Sequence, residues 1–274
     1  MLKFLIALLL MAIPFTASAQ SRSLSIDGDH GKLSAVLQTP DGQKNYPLVI
    51  ICHGFTANKE HLLLTNLADE LEARGIASIR FDFNGHGASD GDFQDMTVLN
   101  EIEDAKKVYD YASALPNVTS ISIAGHSQGG VVASMVAGQL GVKKIKSVVL
   151  MAPAAVLRDD ALRGNLMGVT YDSINPPEYV EIFTPHGSHK VGRNYIKTAQ
   201  VLPIYETAEK FTGAALAIHG TGDVVVPYTY SLSYKKVYKR GAVELIDGAN
   251  HSFVGAESRV AKIAADFFAG QLKK

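Results

Sequence analysis

A serine between two glycines marks the strongest chemical motif of the 274-residue chain. Residues 125–129 are Gly-His-Ser-Gln-Gly, which matches G-x-S-x-G, the pattern of a serine nucleophile on a sharp turn. The glycines permit the tight turn that lifts the hydroxyl of Ser127 above a sheet. An apolar run at 118–124 precedes the motif and a helix-forming segment at 128–140 follows it, as such a turn requires. We therefore predict that Ser127 is a catalytic nucleophile.

A serine hydroxyl is a weak nucleophile at neutral pH and needs a general base and an orienting carboxylate. With this type of turn, the order along the chain is serine, acid, histidine, and each partner follows a strand. Asp223 follows the apolar run at 214–218, and His251 follows the run at 243–246. We predict His251 as general base and then general acid, with Asp223 orienting its ring. Asp247, which lies in the same loop as His251, is the alternative acid.

The tetrahedral intermediate of such a reaction needs backbone N–H groups aimed at its oxyanion. One donor is expected from the residue after the nucleophile, Gln128. The other is expected from the loop at 53–56, after the first central strand, where Phe55 is the candidate. His53 in the same loop is an alternative base, but we favour a role in anchoring the loop through hydrogen bonds.

Six short apolar runs alternate with segments of helical periodicity along the chain. The runs suit strands buried on both faces of a parallel sheet, and they are 48–52, 77–83, 118–124, 145–151, 214–218 and 243–246. The helical segments are 61–74, 98–115, 131–140, 228–238 and 253–268. A hairpin is predicted at 24–26 and 32–38, on either side of a polar turn. The alternation predicts an α/β fold with a mostly parallel, doubly wound sheet.

Two segments stand apart from this alternation. Residues 154–205 contain several prolines and glycines and no run of the same kind; long irregular insertions in compact domains usually carry function. We predict an inserted cap, or lid, at 154–205, with an inert surface subdomain as the alternative. Residues 1–19 combine Lys3, an apolar run and a terminal Ala-Ser-Ala, which predicts a secretory signal peptide cleaved after Ala19. The remaining domain, 20–274, is then expected to be exported to the periplasm or beyond, with no stable membrane anchor.

The composition is that of an ordinary globular protein, with 47% hydrophobic residues and a net charge of -1. This charge argues against a general nucleic-acid binder, which needs a basic face to neutralise phosphates. The single cysteine, Cys52, excludes an intrachain disulfide and metal sites built on cysteine pairs. His186 and His189 have no further ligands nearby in the sequence. We therefore predict neither a metal nor a cofactor.

Motifs around each predicted site residue resemble those of the α/β-hydrolase superfamily. They are HGFTANK at 53–59, GHSQGG at 125–130, GTGDVVVP at 220–227 and GANHSF at 248–253. More narrowly, the chain resembles bacterial cinnamoyl (feruloyl) esterases from about Leu24 to Phe268. The insertion carries part of this likeness, through ALRGN at 161–165 and QVLPIYE at 200–206.

The resemblance implies specific substrate contacts. In these esterases the insertion forms a small cap whose polar groups hold the phenolic hydroxyls of a hydroxycinnamate. By motif position the matching residues are Tyr195 and Asp160, with Asp159 as the alternative to the latter. Met167 stands where some members of the family have glutamine. Because methionine offers little hydrogen bonding, we expect less polar aromatic acyl groups to be favoured here.

These observations predict a serine carboxylesterase that hydrolyses feruloyl or cinnamoyl esters through an acyl-enzyme. The alternatives are a general short-chain carboxylesterase or a serine peptidase of the same fold. A non-catalytic binding protein on a hydrolase scaffold is an alternative of another class. The expected partner is a small-molecule ester, such as a feruloylated plant oligosaccharide, and a homodimer is left open.

Overall fold

The computed structural model describes residues 20–184 and 187–272. The predicted signal peptide and His186 lie outside these ranges. The strands, in chain order, are β1 (Gln20–Asp27), β2 (Lys32–Thr39), β3 (Tyr46–Cys52), β4 (Ala77–Phe81), β5 (Val118–His126), β6 (Ile145–Met151), β7 (Asn165–Leu166), β8 (Val169–Thr170), β9 (Tyr179–Thr184), β10 (Gly187–Gly192), β11 (Ala214–Gly220) and β12 (Arg240–Ile246). The α-helices are α1 (Leu62–Glu72), α2 (Val98–Ser113), α3 (Gln128–Leu140), α4 (Val156–Arg163), α5 (Arg193–Gln200), α6 (Ile204–Ala208), α7 (Thr229–Val237) and α8 (Glu257–Leu272). None of these helices has the length and apolar character needed to cross a membrane.

Eight of the strands form one sheet in the order β1-β2-β4-β3-β5-β6-β11-β12. Only β2 runs against the others, because it pairs antiparallel with both β1 and β4. The predicted hairpin is therefore confirmed as β1 and β2. The other six strands of the sheet run parallel to one another, so their carboxyl ends meet at one edge of the sheet. They are β4, β3, β5, β6, β11 and β12. The predicted fold class, an α/β fold with a mostly parallel sheet, is confirmed.

Helices cover both faces of the sheet and bury its side chains in two hydrophobic cores. In β3, Leu48 and Ile50 face a core shared with α2 and α3, whereas Val49 and Ile51 face a core shared with α1 and α8. All four side chains are fully buried, and each contributes about 1.5–3 kcal/mol to stability. Burial on both faces explains why this strand is continuously apolar in sequence.

The run at 243–246 does not belong to a strand buried on both faces, and that prediction was wrong. It forms the end of β12, which is an edge strand paired only with β11. Exposed and half-buried residues alternate along it, and Leu245 is 38% exposed. The last helix also differs from its prediction, since α8 begins at Glu257 rather than at 253. The backbone at Phe253 (φ 56°) and Gly255 (φ 79°) is left-handed, which prevents a helix there.

The segment between β6 and β11 contains residues 154–205, for which an inserted cap was predicted. It holds α4, the two short hairpins β7–β8 and β9–β10, and α5. Within it, α4 packs on α5, α5 contacts α2, and β10 contacts a short 3₁₀ helix at Phe93–Asp95. The predicted end at residue 205 falls inside α6. That helix packs on α3 and α7, so it belongs to the main body of the domain.

Candidate active site

Ser127 lies between the end of β5 and the first residue of α3. Its backbone is left-handed, with φ 54° and ψ -122°, and a non-glycine residue in such a region stores about 1–3 kcal/mol of strain. Two hydrogen bonds hold this turn: the Ser127 N–H donates to Met151 O at 2.9 Å, and the Ala154 N–H donates to Ser127 O at 3.0 Å. The neighbouring strand β6 and the chain that follows it thus fix the position of the serine.

The glycines on either side of Ser127 are required by close packing. A Cβ at Gly125 would overlap the backbone carbonyl of Gly129, and a Cβ at Gly129 would overlap the carbonyl of His53. The helix α3 can therefore approach the sheet only because both positions lack a side chain. This packing places the amino end of α3 beside the loop at 53–56.

Ser127, His251 and Asp223 form a continuous chain of hydrogen bonds. The His251 Nδ1 is 2.7 Å from Asp223 Oδ2, and the His251 Nε2 is 2.9 Å from Ser127 Oγ. A carboxylate can only accept, so Nδ1 carries the proton and Nε2 is free to accept from the serine hydroxyl. The geometry therefore suits proton transfer from Ser127 to His251.

The Asp223 side chain is buried and fully partnered. The N–H groups of Val225 and Val226 donate to its Oδ1 at 2.9 and 2.8 Å. Burial alone would raise the pKa of this carboxyl, but hydrogen bonds from His219 and His251 outweigh it and hold the pKa well below the ordinary value of 3.8. Asp223 is consequently ionised at neutral pH and can stabilise a positive charge on the His251 ring.

Two residues that the sequence offered as alternatives lie elsewhere. Asp247 accepts a hydrogen bond from Thr221 Oγ1 at 3.1 Å, and Asp223 occupies the position beside the His251 ring. His53 is fully buried in the loop after β3, where its Nε2 accepts from the Phe83 N–H at 3.1 Å. Burial lowers the pKa of His53 to about 4, so its ring is neutral and serves to anchor the loop.

The backbone N–H groups of Phe55 and Gln128 carry no hydrogen bond to another group of the described chain. Both residues line the same cavity as Ser127. Gln128 is the first residue of α3, where helix geometry leaves an N–H without an internal acceptor. Two unpaired N–H donors, on residues that line one cavity with Ser127, fit the requirement of an oxyanion.

The cavity beside Ser127 has a volume of about 380 Å³. Its walls come from the loops after β3, β5 and β11 and from the insertion. Most of the lining side chains are apolar, and among them are Val156, Leu157, Ala161, Leu166 and Val225. The site is thus large enough for an aromatic acyl group and is mostly apolar, as small-molecule sites usually are.

Three of the four insertion residues proposed from the sequence for substrate contacts line this cavity. Asp160, Met167 and Tyr195 line it, whereas Asp159 instead accepts from the Tyr230 hydroxyl at 2.6 Å. Asp160 forms an ion pair with Arg163 at 2.7 Å. The Tyr195 hydroxyl donates to Gln128 Oε1 at 2.7 Å, so only its lone pairs remain for a ligand.

Two buried residues around the site were not singled out from the sequence. His219 contacts the same oxygen of Asp223 as His251 does, and Glu101 contacts the Gln128 side chain. Glu101 carried a usable signal, because it falls in the apolar stripe of α2 between Val98 and Ile102. A carboxyl in such a stripe is seldom buried without a purpose. His219 gave a weaker signal, as a polar residue directly after the apolar run at 214–218.

The described residues contain no cluster of three histidine, cysteine or acidic side chains arranged to hold a metal ion. His189 packs instead against the Phe93 ring, with 4.9 Å between the ring centres.

The model of the serine aminopeptidase family S33 matches residues 43–173 of the chain. A solved structure of Est1E from Butyrivibrio proteoclasticus with bound ferulic acid is similar over 92% of this chain and 100% of that one. The sequence identity is 34% and the TM-score 0.86. A second structure of Est1E has 32% identity and a TM-score of 0.83 over 92% of this chain and 99% of that one.

A curated relative, an uncharacterized 31.7 kDa protein from Escherichia coli, is 32% identical over 128 residues. That match spans 46% of this chain and 44% of the relative, so the chain covers less than half of the relative's length. The two Est1E structures, by contrast, match along nearly all of both chains. The chain therefore belongs to the α/β-hydrolase superfamily of serine hydrolases, within its cinnamoyl/feruloyl esterase-like family.

Proposed function

We propose that the protein is a serine carboxylesterase in which Ser127, His251 and Asp223 act as a catalytic triad. The observation that carries this proposal is the unbroken hydrogen-bond chain from the Ser127 hydroxyl to the buried Asp223 carboxylate. That chain ends at a cavity large enough for an acyl group. The membership of the chain in a family of serine hydrolases supports the same conclusion.

In the first half of the reaction, Ser127 Oγ attacks the ester carbonyl carbon while His251 Nε2 takes the hydroxyl proton. The negative charge that develops on the carbonyl oxygen is held by the N–H groups of Phe55 and Gln128. The carbon–oxygen bond to the alcohol then breaks, and His251 returns the proton to the leaving alkoxide. The products are the free alcohol and an acyl group on Ser127.

In the second half, a water molecule attacks the acyl-enzyme carbonyl and gives a proton to His251 Nε2. The intermediate collapses, the proton returns to Ser127 Oγ, and the acid leaves. Asp223 keeps the imidazole in the correct tautomer throughout, through its hydrogen bond with Nδ1. All the steps use groups of the chain and water.

We propose further that the acyl group is a hydroxycinnamate, such as a feruloyl group on a plant oligosaccharide. The apolar walls of the cavity suit a flat aromatic chain, and Asp160 and Tyr195 offer oxygen atoms to a phenolic hydroxyl. The similarity to a protein that binds ferulic acid supports this class of substrate. Met167 in the cavity wall favours rings with fewer hydroxyl groups, because a thioether is a weak acceptor.

The family description as an aminopeptidase favours a second candidate, a serine peptidase. Such an enzyme must hold the positive amino group of its substrate with a carboxylate that is free to pair. Asp160 is the one carboxylate among the residues that line the described cavity, and Arg163 already neutralises it. The charge distribution therefore favours an uncharged acyl group over an aminoacyl group.

The ester panel that tests this proposal compares kcat/KM for methyl cinnamate, p-coumarate, ferulate and caffeate with p-nitrophenyl acetate and leucine p-nitroanilide. We expect the cinnamoyl esters to be turned over best, with caffeate below p-coumarate. A higher value for the acetate would favour a general short-chain esterase, and a higher value for the anilide a peptidase. Turnover of none of them would favour a binding protein.

We also propose that the chain is exported after removal of residues 1–19. The support is the sequence of that segment, with its basic start, apolar run and small-residue end. Amino-terminal sequencing of the protein from its native source is expected to begin at Gln20. An intact Met1 would contradict export by this route.

A further inference from the structure

Glu101 is a buried carboxyl for which the proposed reaction has no use. It lies in the first turn of α2 and is 1% exposed. Its Oε2 accepts a hydrogen bond from Gln128 Nε2 at 2.9 Å, while its Oε1 has no partner among the described residues. Burial raises the pKa of this carboxyl to about 8, so it is mostly neutral at pH 7. Burying a carboxyl with only one of its two oxygens hydrogen-bonded costs stability.

The Gln128 side chain connects Glu101 to the cavity wall. Its Nε2 donates to Glu101, and its Oε1 accepts from the Tyr195 hydroxyl at 2.7 Å. The second N–H of the amide faces Met96 Sδ, 3.7 Å away. A thioether sulfur accepts hydrogen bonds weakly and cannot donate one, so an amide oxygen would have no partner in that place. The amide is therefore held in one orientation, with its oxygen towards Tyr195.

This orientation decides what Tyr195 can offer to a ligand. A phenol has one donor and two acceptor lone pairs, and the single donor of Tyr195 is already directed at Gln128. Tyr195 lines the cavity, so a ligand that reaches its oxygen must bring the proton. A free hydroxyl on the acyl ring satisfies this condition, whereas a methyl ether does not.

We infer that Glu101 is a positioning residue that, through the Gln128 amide, keeps Tyr195 as a hydrogen-bond acceptor at the cavity wall. This inference rests on the proposed esterase function. Glu101 contacts Gln128, and Gln128 contacts Tyr195; Glu101 therefore acts on the substrate only through its neighbours. Its effect is expected in the choice between acyl groups rather than in hydrolysis as such.

The test measures the ratio of kcat/KM for methyl p-coumarate to kcat/KM for methyl 4-methoxycinnamate. Glu101→Gln is expected to keep the wild-type ratio, because its amide oxygen still accepts from Gln128 Nε2. Glu101→Leu removes the acceptor, and Glu101→Asp shortens the side chain so that it no longer reaches Gln128. Both should lower the ratio roughly 3- to 10-fold, the worth of one hydrogen bond, and Tyr195→Phe should lower it as much.

A structural role alone would lower both rates equally and leave the ratio unchanged, which would overturn the inference. The inference would also be overturned if the ratio fell as far in Glu101→Gln as in Glu101→Leu, or if it stayed unchanged in Tyr195→Phe. If Glu101→Leu fails to fold, the comparison of Glu101→Gln with Glu101→Asp still tests the inference, because only the second should lower the ratio. The esterase proposal fails separately: wild-type protein that hydrolyses neither these esters nor p-nitrophenyl acetate would overturn both.

Discussion

The Nε2 of His219 lies 3.0 Å from Asp223 Oδ2, the same carboxylate oxygen that accepts a hydrogen bond from His251 Nδ1. The His219 side chain is fully buried, and its Nδ1 is 2.7 Å from Ser231 Oγ. Because Asp223 can only accept, His219 donates through Nε2 and accepts from the serine hydroxyl through Nδ1. A second imidazole thus donates a hydrogen bond to the proposed catalytic carboxylate.

Replacing His219 with phenylalanine should weaken both the fold and the catalysis. The ring shape is roughly kept, but Asp223 loses a donor and the Ser231 hydroxyl loses its acceptor. The free energy of unfolding is expected to fall by about 1–3 kcal/mol, as for an unsatisfied buried polar group. We expect kcat/KM to fall roughly 10-fold, since one hydrogen bond to an ionised group is worth about 1.5–3 kcal/mol and the other donors remain. Urea unfolding and ester kinetics measure the two effects.

The matched control for this variant is Ser231→Ala, which leaves the His219–Asp223 contact in place. It should lower stability by less and leave kcat/KM near the wild-type value. Equal losses of activity in the two variants would show that the second imidazole does not act through Asp223.

Asp223→Asn tests the assignment of the orienting acid. An amide in this position favours the wrong tautomer of His251, so kcat/KM should fall by roughly 10³- to 10⁴-fold while the fold persists. Asp247→Asn is the matched control, because Asp247 lies in the same loop as His251 and contacts Thr221 instead. It should keep nearly full activity. A greater loss in the Asp247 variant would reverse the assignment.

Gly129→Ala tests the packing that places Ser127. The added Cβ meets the backbone carbonyls of His53 and Cys52, which cannot move aside as a flexible side chain would. We expect a loss of stability of more than about 3 kcal/mol, the upper range for overpacking, or no soluble protein. Gly270→Ala, in α8, meets nothing within 4 Å and should be neutral or stabilise by about 0.5–1 kcal/mol. Thermal unfolding followed by circular dichroism compares them, and similar melting temperatures would refute the argument.

The Glu101 carboxyl should make stability depend on pH. Its pKa in the folded protein is about 8, against an ordinary value of 4.5. Between these values the unfolded chain ionises the group and the folded chain does not. The free energy of unfolding is therefore unaffected by this group below pH 4.5. Above that pH it declines by at most about 1.4 kcal/mol per pH unit until pH 8.

Glu101→Gln removes this dependence and is expected to gain stability relative to wild type between pH 5 and pH 7. The other titratable groups that interact with Glu101 are Asp104, Cys52 and Tyr195. They are present in both proteins, so the difference between the two unfolding free energies isolates Glu101. A difference that stays constant over this range would mean that the buried carboxyl does not hold its proton.

The central part of the fold could be predicted because its strands are buried on both faces and its turns have chemical signatures. Ser127, Asp223 and His251 each follow a parallel strand, and parallel strands end at the same edge of a sheet. The exposure of β12 could not be predicted, since a strand's place in the sheet depends on pairing with distant segments. The sequence around Leu245 suits a strand at the edge of the sheet as well as one in its centre.

The short hairpins of the insertion were also beyond prediction from the sequence. Asn165–Leu166 and Val169–Thr170 are too short to show a period. Motif position left Asp159 and Asp160 as alternatives, because adjacent helical residues point in different directions and only the orientation of α4 decides between them. The direction of the Tyr195 hydroxyl depends on Gln128, a contact between residues 67 positions apart.

The identity of the nucleophile is tested most directly by mass spectrometry after reaction with a fluorescent organophosphonate ester. We expect one covalent adduct per chain, located on the peptide that contains Ser127. We also expect Ser127→Ala to take up no label and to lose hydrolysis of methyl p-coumarate while it keeps the wild-type unfolding profile. An adduct on another residue, or undiminished hydrolysis by Ser127→Ala, would contradict the proposal that this protein is a serine esterase acting through Ser127.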